Sequence, residues 1–244
     1  MEIKAIKTHK IETGESLEYL LDKYILAKEN SIIVITSKVI SICQNRVVAK
    51  NSIPKEELIR KEADLLLETH NTPYGHYLTI KNKILIPSAG IDESNGNGLY
   101  ILYPINVQET ACVIWEYLRK KHGVKNLGIL ITDSHTTPLR CGVTGISLAW
   151  CGFEPLYSYI GKPDIYGRLL QCTNVNILDA LAASAVFVMG EGDEQTPIAI
   201  LNNCPKITFV DRIPTETEKD SVSIPINNDI YAPLLTAVNW VKCS

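Results

Sequence analysis

Three short stretches gather oxygen ligands in an otherwise ordinary chain. In "ILIPSAGIDESNGNG" (84–98) an apolar run gives out into Asp92, followed by Asn95 in a Gly/Asn-rich turn. In "NLGILITDSHTTPLRCG" (126–142) a second apolar run leads to Asp133 and Ser134. In "MGEGDEQTP" (189–197) Glu191, Asp193 and Glu194 stand among Gly190 and Gly192. Carboxylates and hydroxyls without His or Cys suit a hard cation, Mg2+ or Mn2+, which keeps waters and bridges substrate phosphates. Lys38, Arg140, Lys162 and Arg168 are available to hold phosphate or carboxylate oxygens. Each piece has a plainer reading too: Asp92 as a turn residue, Asp133–Ser134 as a helix cap, "GEGDEQTP" as a solvated loop. Spacing alone leaves both readings open.

Other chemistries find less support. There is no G-x-x-x-x-G-K-[ST], no G-x-G-x-x-G after a strand and no serine nucleophile elbow. None of the seven cysteines stands in a Cys-x-x-Cys spacing, and the five histidines are scattered, which argues against a zinc site. Cys43, Cys112, Cys151 and Cys172 lie in apolar segments and read as reduced, mostly buried thiols. The net charge is −3, with no basic block beyond "RKKH" (119–122), which suits a helix C-terminus, so nucleic acid is not expected as a partner. No stretch approaches the ~20 apolar residues of a membrane span, and "MEIKAIKTHKIETG" lacks a signal-peptide core. The expectation is a cytoplasmic protein.

The elements that must position these ligands follow from the periodicities. Helices are expected over 16–29, with Thr13 or Ser16 as cap, 54–70 with Pro54 near its first turn, 106–123 closed by Gly123, and 174–190. Buried strands are expected at 31–37, 126–132, 144–153 and 205–211. Strand, turn, strand is expected over 39–50, and a hairpin over 76–87 with its turn at 81–83. This is a mixed α/β (α+β) pattern with an irregular composite sheet, not a clean βαβ series. With 244 residues and no long linker, it reads as one domain over 1–244 or two lobes sharing it.

Five segments in order resemble the coenzyme F420 γ-glutamyl ligases: "IIVITSKVIS" (32–41), "ILIPSAGIDESN" (84–95), "ILITDSHTTPLRCG" (129–142), "GKPDIYGRLLQCT" (161–173) and "DALAASAVFVMGE" (179–191). The resemblance implies addition of L-glutamate to a phosphodeazaflavin carboxylate, with GTP and a divalent metal, by an intimate homodimer. It implies that Asp92 and Asp133 hold one metal, Ser134 and Glu191 a second. It assigns nucleotide contacts to Thr8, His9, Lys10 and Ile11, to Ser37 and Lys38, to Asn95, and to Gly190 and Gly192. Asp92, Asp133 and Arg140 would carry catalysis, with Lys38 and Arg168 as further clamps. His135 stands beside the site with its role open.

The chain departs from the family pattern at three places. Ile42 in "ICQNR" stands where the family usually has a lysine. Thr137 and Leu139 stand where it tends to have an arginine and a tryptophan. Such altered lining resembles a branch proposed to extend the glutamate tail of folate. The resulting expectation is an ATP- or GTP-driven ligase acting on a folate-type carboxylate. The alternatives are the phosphodeazaflavin as acceptor, or a nucleotide-binding regulatory protein without turnover.

Overall fold

A computed structural model of the chain describes residues 1–68, 72 and 74–243. In chain order the elements are β1 (Glu2–Ile6), α1 (Leu17–Tyr24), β2 (Ser31–Thr36), α2 (Ser37–Cys43), β3 (Val47–Ala49), α3 (Lys55–Glu62), β4 (Leu65–Leu67), β5 (Leu78–Lys81), β6 (Ile84–Pro87) and β7 (Leu99–Ile101). There follow α4 (Val107–His122), β8 (Leu127–Thr136), β9 (Val143–Cys151), β10 (Leu156–Ser158), β11 (Asn174–Asn176), α5 (Ile177–Met189), β12 (Ile198–Asn202), α6 (Glu216–Ser221), α7 (Ala232–Leu235) and β13 (Trp240–Lys242).

The main sheet runs β1-β12-β2-β8-β9. Only β2 and β8 in it are parallel, in register from Ser31 opposite Leu127 to Thr36 opposite Thr132. Both are apolar on successive residues, as strands covered on two faces must be. Ile33 and Ile35 face a core shared with α1, α2 and α4, through Leu20, Ile40, Ile114 and Trp115. Ile32 and Val34 face α5 through Leu181, Ala185 and Met189. The small residues of α5 let it lie close on β9. A side chain at Gly145 would strike the Ala182 carbonyl. A second sheet, β13-β4-β5-β6, packs with α3 around Leu58, Ile59 and Leu66.

The fold is mixed α/β as expected, and several elements match. Ser16 caps α1 by accepting from the Tyr19 N–H. Gly123 closes α4 in a left-handed conformation. The hairpin β5–β6 turns at Asn82 and Lys83, both with positive φ.

Other expectations are corrected. Residues 37–43 form helix α2, not a strand, although Val39, Ile40 and Ile42 favour strands intrinsically. Burial of Val39 and Ile40 against the main core overrides that preference. α1 stops at Tyr24 and α3 at Glu62; beyond α3, Leu65–Leu67 pairs with β5 and β13 instead. The last two positions of the helix expected over 54–70 lie outside the described residues. α5 starts at Ile177, because Asn176 caps it by accepting from the Asp179 N–H. No strand forms over 205–211, only a bridge between Phe209 and Phe153, while β1 and β12 form where none was expected. Cys141 and Cys172 are exposed, so the thiols are less buried than their apolar neighbours imply.

Candidate functional site

A cavity of about 920 Å3 opens where the parallel pair ends. Sites at the carboxyl ends of parallel strands are a general consequence of such topology, because the chain leaves the sheet there. The step from β2 into α2 delivers Ser37 and Lys38. β8 continues beyond the parallel pairing and delivers Asp133 and Ser134. Asp133 therefore does not follow a strand, nor does it cap a helix. It lies within β8, held opposite Ile146 of β9.

Asp133 keeps part of its surface open to the cavity, but protein packs closely round it. The Ser37 hydroxyl donates to its Oδ2 at 2.9 Å, and the Ser134 N–H donates to its Oδ1 at 2.8 Å. Burial outweighs both bonds, and with help from the charge of Asp92 it pushes the carboxyl up to about 6. Behind it lies Tyr103, buried, its hydroxyl without a partner among the described residues and held well above its ordinary pKa by burial and by Asp133.

Asp92 comes from the other side of the cavity. Its backbone exchanges two 2.9 Å hydrogen bonds with Ile101, which pins the loop that follows β6. Lys38 Nζ lies 2.7 Å from Asp92 Oδ2 and donates to Ser94 Oγ at 2.8 Å. The Ser94 N–H donates to Asp92 Oδ1 at 2.7 Å. Burial works to raise the Asp92 carboxyl, but Lys38 and Ser94 together hold it below its ordinary value. The loop then turns through Asn95 and Asn97, both with positive φ, a conformation that Asn tolerates. Asn95 donates to the Gly192 carbonyl at 2.9 Å and so joins this loop to the one after α5.

Glu191 in that second loop has its carboxyl raised by burial. Lys38 and a hydrogen bond from Ser134 oppose the shift, and Asp92 reinforces it. The N-terminal segment completes the wall. Thr8 N–H donates to the Gln195 carbonyl at 2.8 Å. Both ring nitrogens of His9 are engaged within the chain, by Tyr24 at 2.5 Å and Glu15 at 2.8 Å, so this ring acts as a strut. Lys10 and Ile11 line the cavity beside it, as do Gly190 and Gly192 opposite.

Thus the residues expected to hold metal or nucleotide line one cavity, Lys38 among them, whereas the other clamps do not. Arg140 lies at the exposed tip of the β8–β9 hairpin, and Arg168 and Lys162 on an exposed loop. His135 is half-buried, with its pKa lowered by burial, and does not line the cavity. Ile42 does line it, whereas Thr137 and Leu139 project from the hairpin tip. Sequence reasoning missed Ser94, Thr132 and Tyr103. Ser94 and Thr132 adjoin motif residues, but nothing in the sequence marks Tyr103.

A divalent cation fits these donors in one form only. No three His, Cys, Asp or Glu side chains among the described residues close around one point. The donors are instead Asp133, whose ionisation burial and the charge of Asp92 disfavour, Asp92 itself, a third carboxylate nearby, and serine hydroxyls. Mg2+ takes one or two carboxylates and completes its shell with substrate phosphates and water.

Comparison with known proteins decides the family. The model of the F420-0:Gamma-glutamyl ligase family matches residues 5–203. The chain belongs to this family. Among its relatives is a Coenzyme F420:L-glutamate ligase from Methanococcus maripaludis, 33% identical over 222 residues, which span 84% of this chain and 89% of the relative. Proteins of the same name from Methanosarcina mazei and Methanothermobacter thermautotrophicus are 28% and 29% identical, over 82% and 72% of this chain and 86% and 76% of theirs. The matched span holds every residue of the cavity described above, so family membership and site rest on the same part of the chain.

Proposed function

We propose that this chain is a nucleotide- and divalent-metal-dependent γ-glutamyl ligase, working as one domain over 1–244. It joins the amine of L-glutamate to the carboxylate of a small-molecule acceptor. The observation that carries this reading is the convergence of Asp92, Asp133, Ser134 and Glu191 on one cavity whose other wall is Thr8–Ile11 and whose rim carries Lys38.

Asp92 and Asp133 would hold one Mg2+ or Mn2+ and Ser134 with Glu191 a second, supplying positive charge to the phosphates of GTP or ATP. The chain's own residues do the positioning. Ser37 and the Ser134 N–H orient the Asp133 carboxylate. Lys38, fixed by Asp92 and Ser94, holds a cation at the cavity rim where phosphate charge gathers. The acceptor carboxylate attacks the γ-phosphorus and the nucleoside diphosphate leaves. The glutamate amine then attacks the acyl carbon, inorganic phosphate leaves, and the amine proton passes to solvent.

For the acceptor, the names of the relatives favour the phosphodeazaflavin. The folate reading rested on Ile42, Thr137 and Leu139, and only Ile42 lines the cavity of this chain. We therefore place the phosphodeazaflavin first and a folate second. A homodimer is supported by large apolar side chains left exposed, among them Phe187 on α5, Ile165 and Tyr166. No helix among the described residues is long and apolar enough to cross a membrane, and a cytoplasmic location is part of this proposal.

The test offers each acceptor separately, with L-glutamate, Mg2+ or Mn2+, and GTP or ATP, and follows a glutamate-sized mass gain. Gain on the phosphodeazaflavin supports the reading. Gain on folate alone would move the acceptor, and nucleotide binding with no gain and no phosphate release on either would favour a regulatory protein.

A further inference from the structure

Thr132 is fully buried in the floor of the cavity, and its hydroxyl has no hydrogen-bond partner among the described residues. Buried hydroxyls are almost always bonded, because leaving one unpaired costs stability. A threonine also has an apolar twin of the same shape, valine. A hydroxyl with no partner in the free protein therefore calls for an explanation.

Its position supplies one. Thr132 lies opposite Ser147, and Ser134 opposite Gly145. Ser147 bonds Asp179 of α5, and Gly145 abuts the α5 backbone. Thr132 and Ser134 therefore share the α5 face of β8, two residues apart, as the period of a strand requires. Val186 and Met189 of α5 and Thr36 of β2 line the cavity around Thr132, and the Gly190–Gly192 loop follows directly. The nearby hydroxyls are otherwise committed: Thr196 bonds the Met189 carbonyl, and Ser134 supports Glu191. Thr132, in contrast, lines the space beneath that loop with its buried hydroxyl uncommitted among the described residues.

We infer that Thr132 is a nucleotide-binding residue whose hydroxyl donates a hydrogen bond to a phosphate oxygen of the bound nucleoside triphosphate. This rests on the nucleotide-dependent reading above and adds a contact to it. The unpaired hydroxyl lowers the stability of the free protein and is satisfied only when nucleotide is bound, a trade common at binding sites.

The trade gives a two-sided test. Thr132→Val and Thr132→Ser are compared with wild type by calorimetric titration of Mg2+–GTP and Mg2+–ATP, and by thermal melting without nucleotide. Wild type should bind one of the two. Thr132→Val should bind it about tenfold more weakly, yet melt roughly 2–4 °C higher when free. Thr132→Ser should keep affinity within about threefold, because the hydroxyl remains. Equal affinity in wild type and Thr132→Val overturns the inference while leaving the ligase reading intact. A lower melting temperature for Thr132→Val also overturns it, since the hydroxyl would then be structural. Failure of wild type to bind either nucleotide removes the nucleotide reading and this inference with it.

Discussion

The hydroxyl of Ser37 lies 2.9 Å from Oδ2 of Asp133, joining the ends of the two parallel strands. One residue enters a helix at that point and the other continues a strand, yet both point into the same cavity. The pairing of Thr36 with Thr132 directly beneath them fixes this meeting. Ser37→Ala removes one of the two bonds to a carboxylate that burial already disfavours. We expect it to weaken Mg2+-dependent nucleotide binding by about 1.5–3 kcal/mol, roughly ten- to a hundredfold, with a fold unchanged by circular dichroism.

Asp133 sets a pH dependence of unusual sign. Its carboxyl is raised to about 6 from an ordinary 3.8. A carboxyl raised in the folded state favours folding while it is protonated. That contribution is full below about pH 4 and is lost as pH rises through about 6. Ionised Asp133 therefore costs the free protein at most about 3 kcal/mol at neutral pH, less whatever cavity water screens. Asp133→Asn should abolish ligase activity and metal-induced stabilisation. Without metal it should melt at or above wild type at pH 7.5, with the gap closing towards pH 4. A melting temperature well below wild type at pH 7.5 would contradict this account of the burial.

Lys38 is the cation that keeps Asp92 ionised in a half-buried place. Lys38→Ala should let the Asp92 carboxyl rise and leave the cavity rim without its ammonium group. The expected result is nucleotide affinity lowered about ten- to a hundredfold, measured by titration at constant Mg2+. Lys38→Arg should recover only part, since a planar fork cannot reproduce a point charge shared between Asp92 and Ser94.

Arg140 behaves differently in this account. Its side chain is exposed at the hairpin tip, away from its own chain's cavity. Arg140→Ala should leave nucleotide affinity within about twofold of wild type, far short of the loss expected from removing a charged hydrogen bond. A tenfold loss in the same titration would show that it reaches bound nucleotide.

Oligomeric state offers an independent check. Phe187 leaves 89% of its surface exposed on α5, apolar area that a second copy packed there would remove from water. Sedimentation should give twice the chain mass for wild type, and Phe187→Glu should shift it towards monomer. Wild-type monomer at micromolar concentration would remove the dimer from the proposal.

Much of the cavity lining was legible from the sequence because its residues stand in short motifs. Asp92, Asn95, Asp133, Ser134 and Glu191 were all marked, and all line the cavity. Their setting was less legible. "TDSHT" reads as a loop because it is polar, yet it extends β8, since β9 supplies partners for it from Ser147 back to Val143. "SKVISIC" reads as a strand because it is β-branched, yet burial makes it the helix that carries Lys38. Strand β12 was invisible because its pairing with β1 and β2 spans most of the chain. The position of Arg140 at an exposed hairpin tip was not legible, because adjacency to a motif says nothing about where such a tip points.

The most direct test of the ligase reading follows oxygen. The acceptor is prepared with its carboxylate enriched in heavy oxygen, then incubated with protein, L-glutamate, Mg2+ and GTP or ATP. Attack of that carboxylate on the γ-phosphorus, followed by departure of phosphate, must carry a labelled oxygen into the inorganic phosphate. We predict that mass spectrometry finds the label in phosphate in step with glutamylated product. Product formed with unlabelled phosphate, or phosphate released without product, would contradict the account.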